Sequence, residues 1–152
     1  MGFPRSKGTL VDVDLAQGTK SADGVNEYVT AKAHGTLAVG DVVVIAYDED
    51  GPETAAAATS TVYQQVGVVC TAATAGLEVL VQTRGFAEAM VEGTTDVAAG
   101  DFLEVLNAEN EFKKDGTRSA NSVAVAVDAQ AANSNVLSTV FLLGERVLVA
   151  AS

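Results

Sequence analysis

The sequence predicts an all-β protein: a small β-barrel or β-sandwich built from two similar repeats, with an extended N-terminal arm. Three observations support this. The 152 residues are 48% hydrophobic but only 5% aromatic, with no tryptophan, so the core must use small and β-branched side chains. Fourteen glycines indicate many tight turns between short strands. Finally, three segments with the character of strands recur in the same order along the chain.

These recurring segments form an internal repeat, with offsets of 60, 57 and 59 residues between the matching members. The pairs are Leu37–Ile45 with Val97–Val105, Val66–Ala73 with Val123–Gln130, and Leu77–Gly85 with Val136–Gly144. In the first pair, a Gly-Asp turn leads into an apolar strand. Each half alone has too few strands to bury a face, so we expect the two copies to close against each other.

The first 25 residues differ from the rest, because glycines interrupt them and charges of both signs are mixed. Only Leu10–Leu15 alternates apolar and polar residues there, which indicates one short strand in an extended arm. A terminus without a role is the alternative. We predict a single β domain at residues 26–152, with repeats at about 31–90 and about 91–149.

The arm begins with the one basic and aromatic cluster of an otherwise acidic first quarter. Its members are Phe3, Pro4, Arg5 and Lys7. We expect this cluster to contact a neighbouring molecule, with Phe3 filling a pocket and Arg5 pairing with a carboxylate.

Alternating residues predict which strand faces are apolar. The predicted faces hold Val123, Val125 and Val127 in one strand and Leu77, Val79 and Val81 in another. Asp115-Gly116 has the composition of a tight hairpin turn after the segment Glu111–Lys114. The alanine-rich stretch Glu53–Thr61 is read as a loop, with a short helix as the alternative.

The charge balance limits the partners. Nine basic and twenty acidic residues give a net charge of −11 and a pI near 4.3, which would repel nucleic acid and anionic membranes. We therefore expect neither as a partner. The acidity keeps the protein in solution or, alternatively, complements a basic surface.

The lone Cys70 excludes an intrachain disulfide and fits folding in a reducing cytoplasm. We expect no signal peptide, because no apolar segment follows the basic residues at the start. The apolar run Val136–Leu143 is also too short to span a bilayer.

Catalytic and metal sites find little support in the sequence. His34 is the single histidine, so we interpret it as a surface-turn residue, and we interpret Cys70 as a small buried hydrophobe. The acidic stretch Asp48–Gly51 resembles the start of a calcium loop but has Glu53 and Thr59 where an EF-hand needs glycine and glutamate. A looser calcium site is the alternative there. Nucleotide-binding glycine motifs are missing from the sequence as well. We expect no enzymatic activity, no cofactor and no metal.

The repeated motif Ala-x-Gly-Asp followed by an apolar strand, at Ala38–Val43 and Ala98–Leu103, and the stretch Val66–Val81 resemble the capsid decoration, or cement, proteins of tailed phages. The resemblance covers residues 31–149. The chain departs from the simplest members in its arm and in longer loops at Tyr47–Gln64 and Asn107–Ser122.

The resemblance implies a β-rich subunit, made in the host bacterial cytoplasm, that binds the major capsid protein on the outside of the virion. It also implies a homotrimer that sits near local three-fold axes and stabilises the shell. Phe3, Pro4, Arg5 and Lys7 then become candidates for capsid or neighbour-subunit contact. Two alternatives remain: another phage structural module, such as a tail or fibre base, or a carbohydrate-binding β-sandwich.

Overall fold

The computed structural model describes residues 20–22, 26–49, 51–55, 63–106, 109–119, 121–131 and 135–144. These residues contain ten strands and no helix, so the predicted all-β class is confirmed. The strands are β1 (Lys20–Ala22), β2 (Glu27–Lys32), β3 (Val42–Asp48), β4 (Gly51–Ala55), β5 (Tyr63–Val69), β6 (Glu78–Val91), β7 (Phe102–Leu106), β8 (Glu111–Lys114), β9 (Ala124–Ala126) and β10 (Val136–Leu142). The described ranges hold no helix with the length and hydropathy needed to cross a bilayer.

The strands close into two small barrels that share one strand. In the first barrel the order around the ring is β2, β4, β3, β5 and β6, and β6 returns to β2. In the second barrel the order is β6, β8, β7, β9 and β10, and β10 returns to β6. The pairings β2–β4 and β6–β8 are parallel, whereas the other pairings of both rings are antiparallel. Strand β1 adds to β2 from outside the first ring.

The shared strand β6 is 14 residues long and passes from one barrel into the other at Gly85. Residues before Gly85 pair with β2, and residues from Gly85 onward pair with β10. Gly85 has a φ of 98°, and a Cβ atom there would overlap Asn26. The sequence predicted that this strand ends at Gly85, which is wrong, because the glycine bends a continuous strand.

The Gly-Asp turns have the same geometry in both repeats. The Oδ2 atoms of Asp41 and Asp101 accept a hydrogen bond of 2.8 Å from the backbone N–H of Ala38 and Ala98 respectively. The glycine before each aspartate has a left-handed φ, of 95° and 93°. Because only glycine adopts this conformation without strain, the Gly-Asp pair specifies the turn.

The partners of these turns repeat as well. Gly40 donates a backbone hydrogen bond to Val69, and Gly100 donates one to Ala126. The first residues are 60 apart (100 − 40) and the second are 57 apart (126 − 69), which are the offsets seen in the sequence. The repeat in the sequence is therefore a repeat of backbone hydrogen bonding.

Two hydrophobic clusters fill the molecule. The first lies inside the first barrel and contains Val29, Ala31, Ala33, Leu37, Val43, Ile45, Val69, Val79 and Val81. The second fills the second barrel around Phe112, and it also contains four valines from β3 and β5 of the first barrel, Val42, Val44, Val66 and Val68. The outer wall of the first barrel therefore covers the core of the second. A hydrogen bond of 2.9 Å from the Val42 N–H to the Asn110 carbonyl also joins the two barrels.

The structure corrects two predicted strand faces. In β9 and its flanks the buried residues are Val123, Ala124 and Ala126, whereas Val127 is 37% exposed. The narrow barrel therefore takes alanines inward in β9 and directs the larger Val125 to the outer side, where it is only half-buried. In the other strand Val79 and Val81 are buried as predicted, but Leu77 lies before β6 and is 60% exposed.

Strand β4 was missed in the sequence, whereas β8 coincides with the segment Glu111–Lys114 that the sequence placed before a hairpin turn. Residues 53–55 belong to β4 rather than to a loop, while residues 56–61 lie outside the described residues. The hairpin predicted at Asp115-Gly116 is wrong. Strand β8 pairs antiparallel with β7, the strand that precedes it, and in parallel with β6. Both strands are short, β8 is largely polar, and each pairs with its parallel partner at a single residue pair. Neither shows the alternation of apolar and polar residues that identifies a strand in a sequence.

Candidate interaction surface

A row of four apolar side chains crosses the outer face of the second barrel, one from each of four adjacent strands. Register pairs Phe86 of β6 with Phe141 of β10, Phe141 with Val125 of β9, and Val125 with Phe102 of β7. Phe86 is 54% exposed, and the other three are half-buried. We call these four residues the aromatic row.

The first barrel has an equivalent row, but the molecule itself covers most of it. Its members are Tyr28, Gln82, Val68 and Val42, joined by the same succession of pairings. Val42 and Val68 are 0% and 2% exposed because they pack into the core of the second barrel. The aromatic row is therefore the open counterpart of a face that the fold uses elsewhere for barrel-to-barrel contact.

Charged residues interrupt the open face next to the aromatic row. Val44 pairs with Ala55 in the first barrel, and both pack against the second barrel. The corresponding cross-strand pair in the second barrel is Glu104 with Lys113, which form an ion pair of 3.3 Å. The guanidinium of Arg118 lies 5.4 Å from the centre of the Phe102 ring. The cross-strand pair that is apolar in the first barrel is therefore an ion pair in the second, and we call this ion pair the charged cap.

A cleft of about 340 Å³ opens on the same barrel, between β6, β10 and the loop that follows β9. Its lining comprises Glu88, Asp128, Ala129, Gln130, Ala131, Val136, Leu137, Ser138 and Thr139. Val136 and Leu137 are 40% and 48% exposed, and they form its apolar wall. The carboxylates of Glu88 and Asp128 supply the charge, so we call this feature the acidic cleft.

Buried polar contacts hold the floor of the acidic cleft. The Gln130 side chain donates to the Val91 carbonyl at 3.0 Å and accepts from the Ser138 hydroxyl at 2.8 Å. At one side, Thr139 donates a hydrogen bond of 2.6 Å to Glu88. These bonds fix the lining side chains before any partner arrives, which lowers the entropic cost of binding.

The Gly-Asp turn of the first repeat supports Leu137 from below. Gly40 lies so close to Leu137 that a Cβ atom at this glycine would overlap the leucine side chain. The Gly40 carbonyl also accepts a hydrogen bond of 2.9 Å from the Met90 N–H. Val39, in the same turn, is 52% exposed.

His34 and Cys70 lie in surroundings that do not favour catalysis. His34 lies exposed in a bend, as predicted, with its Nδ1 atom 2.7 Å from the hydroxyl of Thr54. Burial raises the pKa of the Cys70 thiol to about 11, which disfavours the nucleophilic thiolate. Cys70 also corresponds to Val127, because each donates its backbone N–H to β6 or β10, at Leu80 and Thr139 respectively.

In the acidic stretch, Asp48 ends β3 and pairs with Gly51, which begins β4, whereas Asp50 lies outside the described residues. Within the described ranges, no group of three His, Cys, Asp or Glu side chains is arranged to hold a metal ion. The predicted contact residues Phe3, Pro4, Arg5 and Lys7, and the predicted strand Leu10–Leu15, lie outside the described residues.

Neither surface was found from the sequence. The aromatic row depends on cross-strand register, and that register follows from the order of strands around the second ring. Phe86 and Phe141 occupy alternate, outward positions of their strands, which was the one signal available in the sequence.

No protein-family model matches the chain, and no curated protein matches its sequence. Among solved structures, the fold is similar to the crystal structure of the N base of head fibre gp8.5 from bacteriophage phi29, with a TM-score of 0.53 and 15% sequence identity. The match covers 80% of this chain and 98% of that one. At this level of identity the likeness shows a shared fold.

Proposed function

We propose that this chain is a non-enzymatic structural protein of a tailed-phage virion and that it docks on the outer surface of the head. The observation that carries the proposal is the likeness of its fold to the base of a phage head fibre, over 80% of the chain. The motifs in the sequence that resemble capsid decoration proteins support the same class. Both point to a module whose work is binding rather than catalysis.

Within this class, the first candidate is a decoration protein. As such, the chain binds the major capsid protein as a trimer at local three-fold axes and stabilises the shell. The closed barrels suit a protein present in many copies on a crowded surface. Each strand from β2 to β10 pairs with at least two others, so these strands do not offer the long free edges that lead to aggregation. Contacts with the shell must then be made by side chains on the outer faces of the strands rather than by free strand edges.

The aromatic row is the face that we assign to the shell. Aromatic side chains supply much of the energy of protein interfaces, and this row is the open counterpart of a face already used for docking within the molecule. With a net charge of −11, the chain favours a partner surface that is basic around an apolar centre.

The second candidate is the base of a head fibre, favoured by the solved structure to which the fold is similar. The base of a head fibre also lies on the head, but it holds a fibre there. The two candidates therefore differ in whether binding of this chain stabilises the shell.

The test is to mix the purified protein with undecorated heads of its own phage, sediment the heads, and count the bound copies. Saturation at a fixed multiple of the three-fold sites, with heads that withstand heating better than undecorated heads, is expected for decoration, whereas binding that leaves the heat resistance of the heads unchanged supports a fibre base. The double variant Phe86→Ser with Phe141→Ser is expected to lower occupancy. Leu77→Ser, at an apolar residue that is 60% exposed on the first barrel, is the matched control. Absence of binding by the unaltered protein would contradict the proposal, and glycan binding in its place would favour a carbohydrate-binding module.

A further inference from the structure

We propose that the acidic cleft binds residues 1–8 of a second copy of the chain, with Phe3 on its apolar wall and Arg5 between its two carboxylates. This inference concerns contact between copies and stands apart from binding to the head. It assigns a receptor site to the N-terminal cluster that the sequence alone singled out.

The size and the apolar wall of the acidic cleft suit a short chain segment. Its volume of about 340 Å³ lies at the small end of the range for binding pockets, which suits one or two side chains rather than a whole domain. Val136 and Leu137 leave 40% and 48% of their surface exposed there. An aromatic ring laid against this wall removes apolar area on both partners from water.

The charges of the acidic cleft and of residues 1–8 are complementary. The lining contains Glu88 and Asp128 but no basic residue. Residues 1–8 contain Arg5 and Lys7 but no acidic residue, in a chain whose net charge is −11. A guanidinium beside two carboxylates makes charge-assisted hydrogen bonds, which are stronger than neutral ones. The most basic segment of the first quarter thus matches an acidic, partly apolar receptor.

The direction of β1 favours a second copy over the chain's own terminus. Lys20 pairs with Val29 and Ala22 with Glu27, so β1 runs in the same direction as β6, and Lys20 is the end of β1 farther from the cleft. Val29 pairs with Val81, and Glu88 is seven residues further along β6 (88 − 81), or about 23 Å at the usual rise per residue. The N-terminal side of Lys20 therefore points away from the cleft of its own molecule.

The direct test is cross-linking with a short bis-maleimide between two differently tagged variants, both with Cys70→Ala. One carries Arg5→Cys and the other carries Asp128→Cys. We expect a cross-link between the two chains, because the proposal places the two positions at the two ends of an arginine–carboxylate pair, which is too long for a direct disulfide but within reach of the reagent. Thr74→Cys, at an exposed position on the first barrel, replaces Asp128→Cys in the control and is expected to capture little.

Two outcomes would overturn the proposal. One is equal capture by the Asp128 and Thr74 positions, which would show random collision. The other is a cross-link that forms within a single chain carrying both Arg5→Cys and Asp128→Cys and never between chains, which would assign the cleft to the chain's own terminus.

Charge exchange gives a second measurement that needs no cysteine. Arg5→Glu is expected to weaken self-association by about tenfold in sedimentation experiments, because it places a third carboxylate at the cleft. Asp128→Arg combined with Arg5→Glu is expected to restore most of the association, since it re-forms an opposite-charge pair. Unchanged association in Arg5→Glu, or no rescue by the pair, would contradict the proposal. Asp128 is exposed, so this substitution leaves the core intact.

Discussion

The ring of Phe86 packs edge to face against the ring of Phe141, with centroids 4.9 Å apart and planes at 70°. The two residues are cross-strand partners on the outer face of the second barrel, and Phe86 is 54% exposed. Such an arrangement gains aromatic contact energy within the free protein and still presents ring surface to a partner.

Alanine substitutions in this pair are expected to affect stability unequally. Phe141→Ala should lower the free energy of unfolding by roughly 1–2 kcal/mol, because the ring is half-buried and also loses its contact with Phe86. Phe86→Ala should cost less, about 1 kcal/mol or below, since half of its surface is already in water. Urea denaturation of both variants measures the difference, and a larger loss for Phe86→Ala would contradict it.

Gly67→Ala is expected to destabilise the first barrel by about 1–3 kcal/mol. Gly67 has an ordinary negative φ, but a Cβ atom there would overlap the Val81 side chain across the barrel interior. Gly116→Ala is the matched control, because nothing lies within 4 Å of the added atom. Thermal or urea unfolding of the two variants tests this, and equal stability would show that the barrel interior yields to the extra carbon.

The sequence predicted the class of fold because local signals carry it. Gly40-Asp41 and Gly100-Asp101 specify two turns through a left-handed glycine and an aspartate that binds the backbone, and both signals lie within four residues. The offsets of the repeat could be predicted for the same reason. The parallel pairing of β8 with β6 and the bend at Gly85 could not be predicted, since each depends on contact with residues far along the chain.

The candidate surfaces could not be predicted from the sequence, for a related reason. In the first barrel Val42 is buried, whereas its counterpart Phe102 lies half-open, although both follow the same Gly-Asp turn. The difference arises because the second barrel covers the first and no described residue covers the second in the same way. The local sequence of a repeat does not indicate which of the two barrels is covered by the other.

Stability is expected to fall as the pH rises from about 9 to about 11, because Cys70 titrates at a higher pH in the folded chain. Burial raises the pKa of its thiol from 9.0 to about 11, so the folded state holds the proton that the unfolded chain releases. The contribution is complete below pH 9 and lost through pH 11, and it amounts to at most about 3 kcal/mol. Cys70→Val, the residue that the second repeat has at Val127, should flatten the difference between urea midpoints at the two pH values. An unchanged difference in this variant would assign the pH dependence to other groups.

Removing the charged cap beside the aromatic row is expected to make the protein associate head to tail. The double variant Glu104→Val with Lys113→Ala recreates, on the second barrel, the apolar pair that Val44 and Ala55 form on the first. A wall of that composition covers a barrel core within the molecule, and on the second barrel it would face outward. The same surface meeting a different surface on the next copy cannot close by two-fold symmetry, so chains longer than dimers should form.

Analytical ultracentrifugation over a range of concentrations measures this association. The double variant should sediment as a growing series of species, whereas Glu78→Val, which places the same side chain at an exposed position of the first barrel, should sediment like the unaltered protein. The substitution removes an ion pair of 3.3 Å whose side chains are 28% and 13% exposed, so neither partner is left buried and unpaired. If the double variant sediments like the control, then the ion pair does not act as a cap, and the contact between the two barrels depends on their shared strand rather than on this wall.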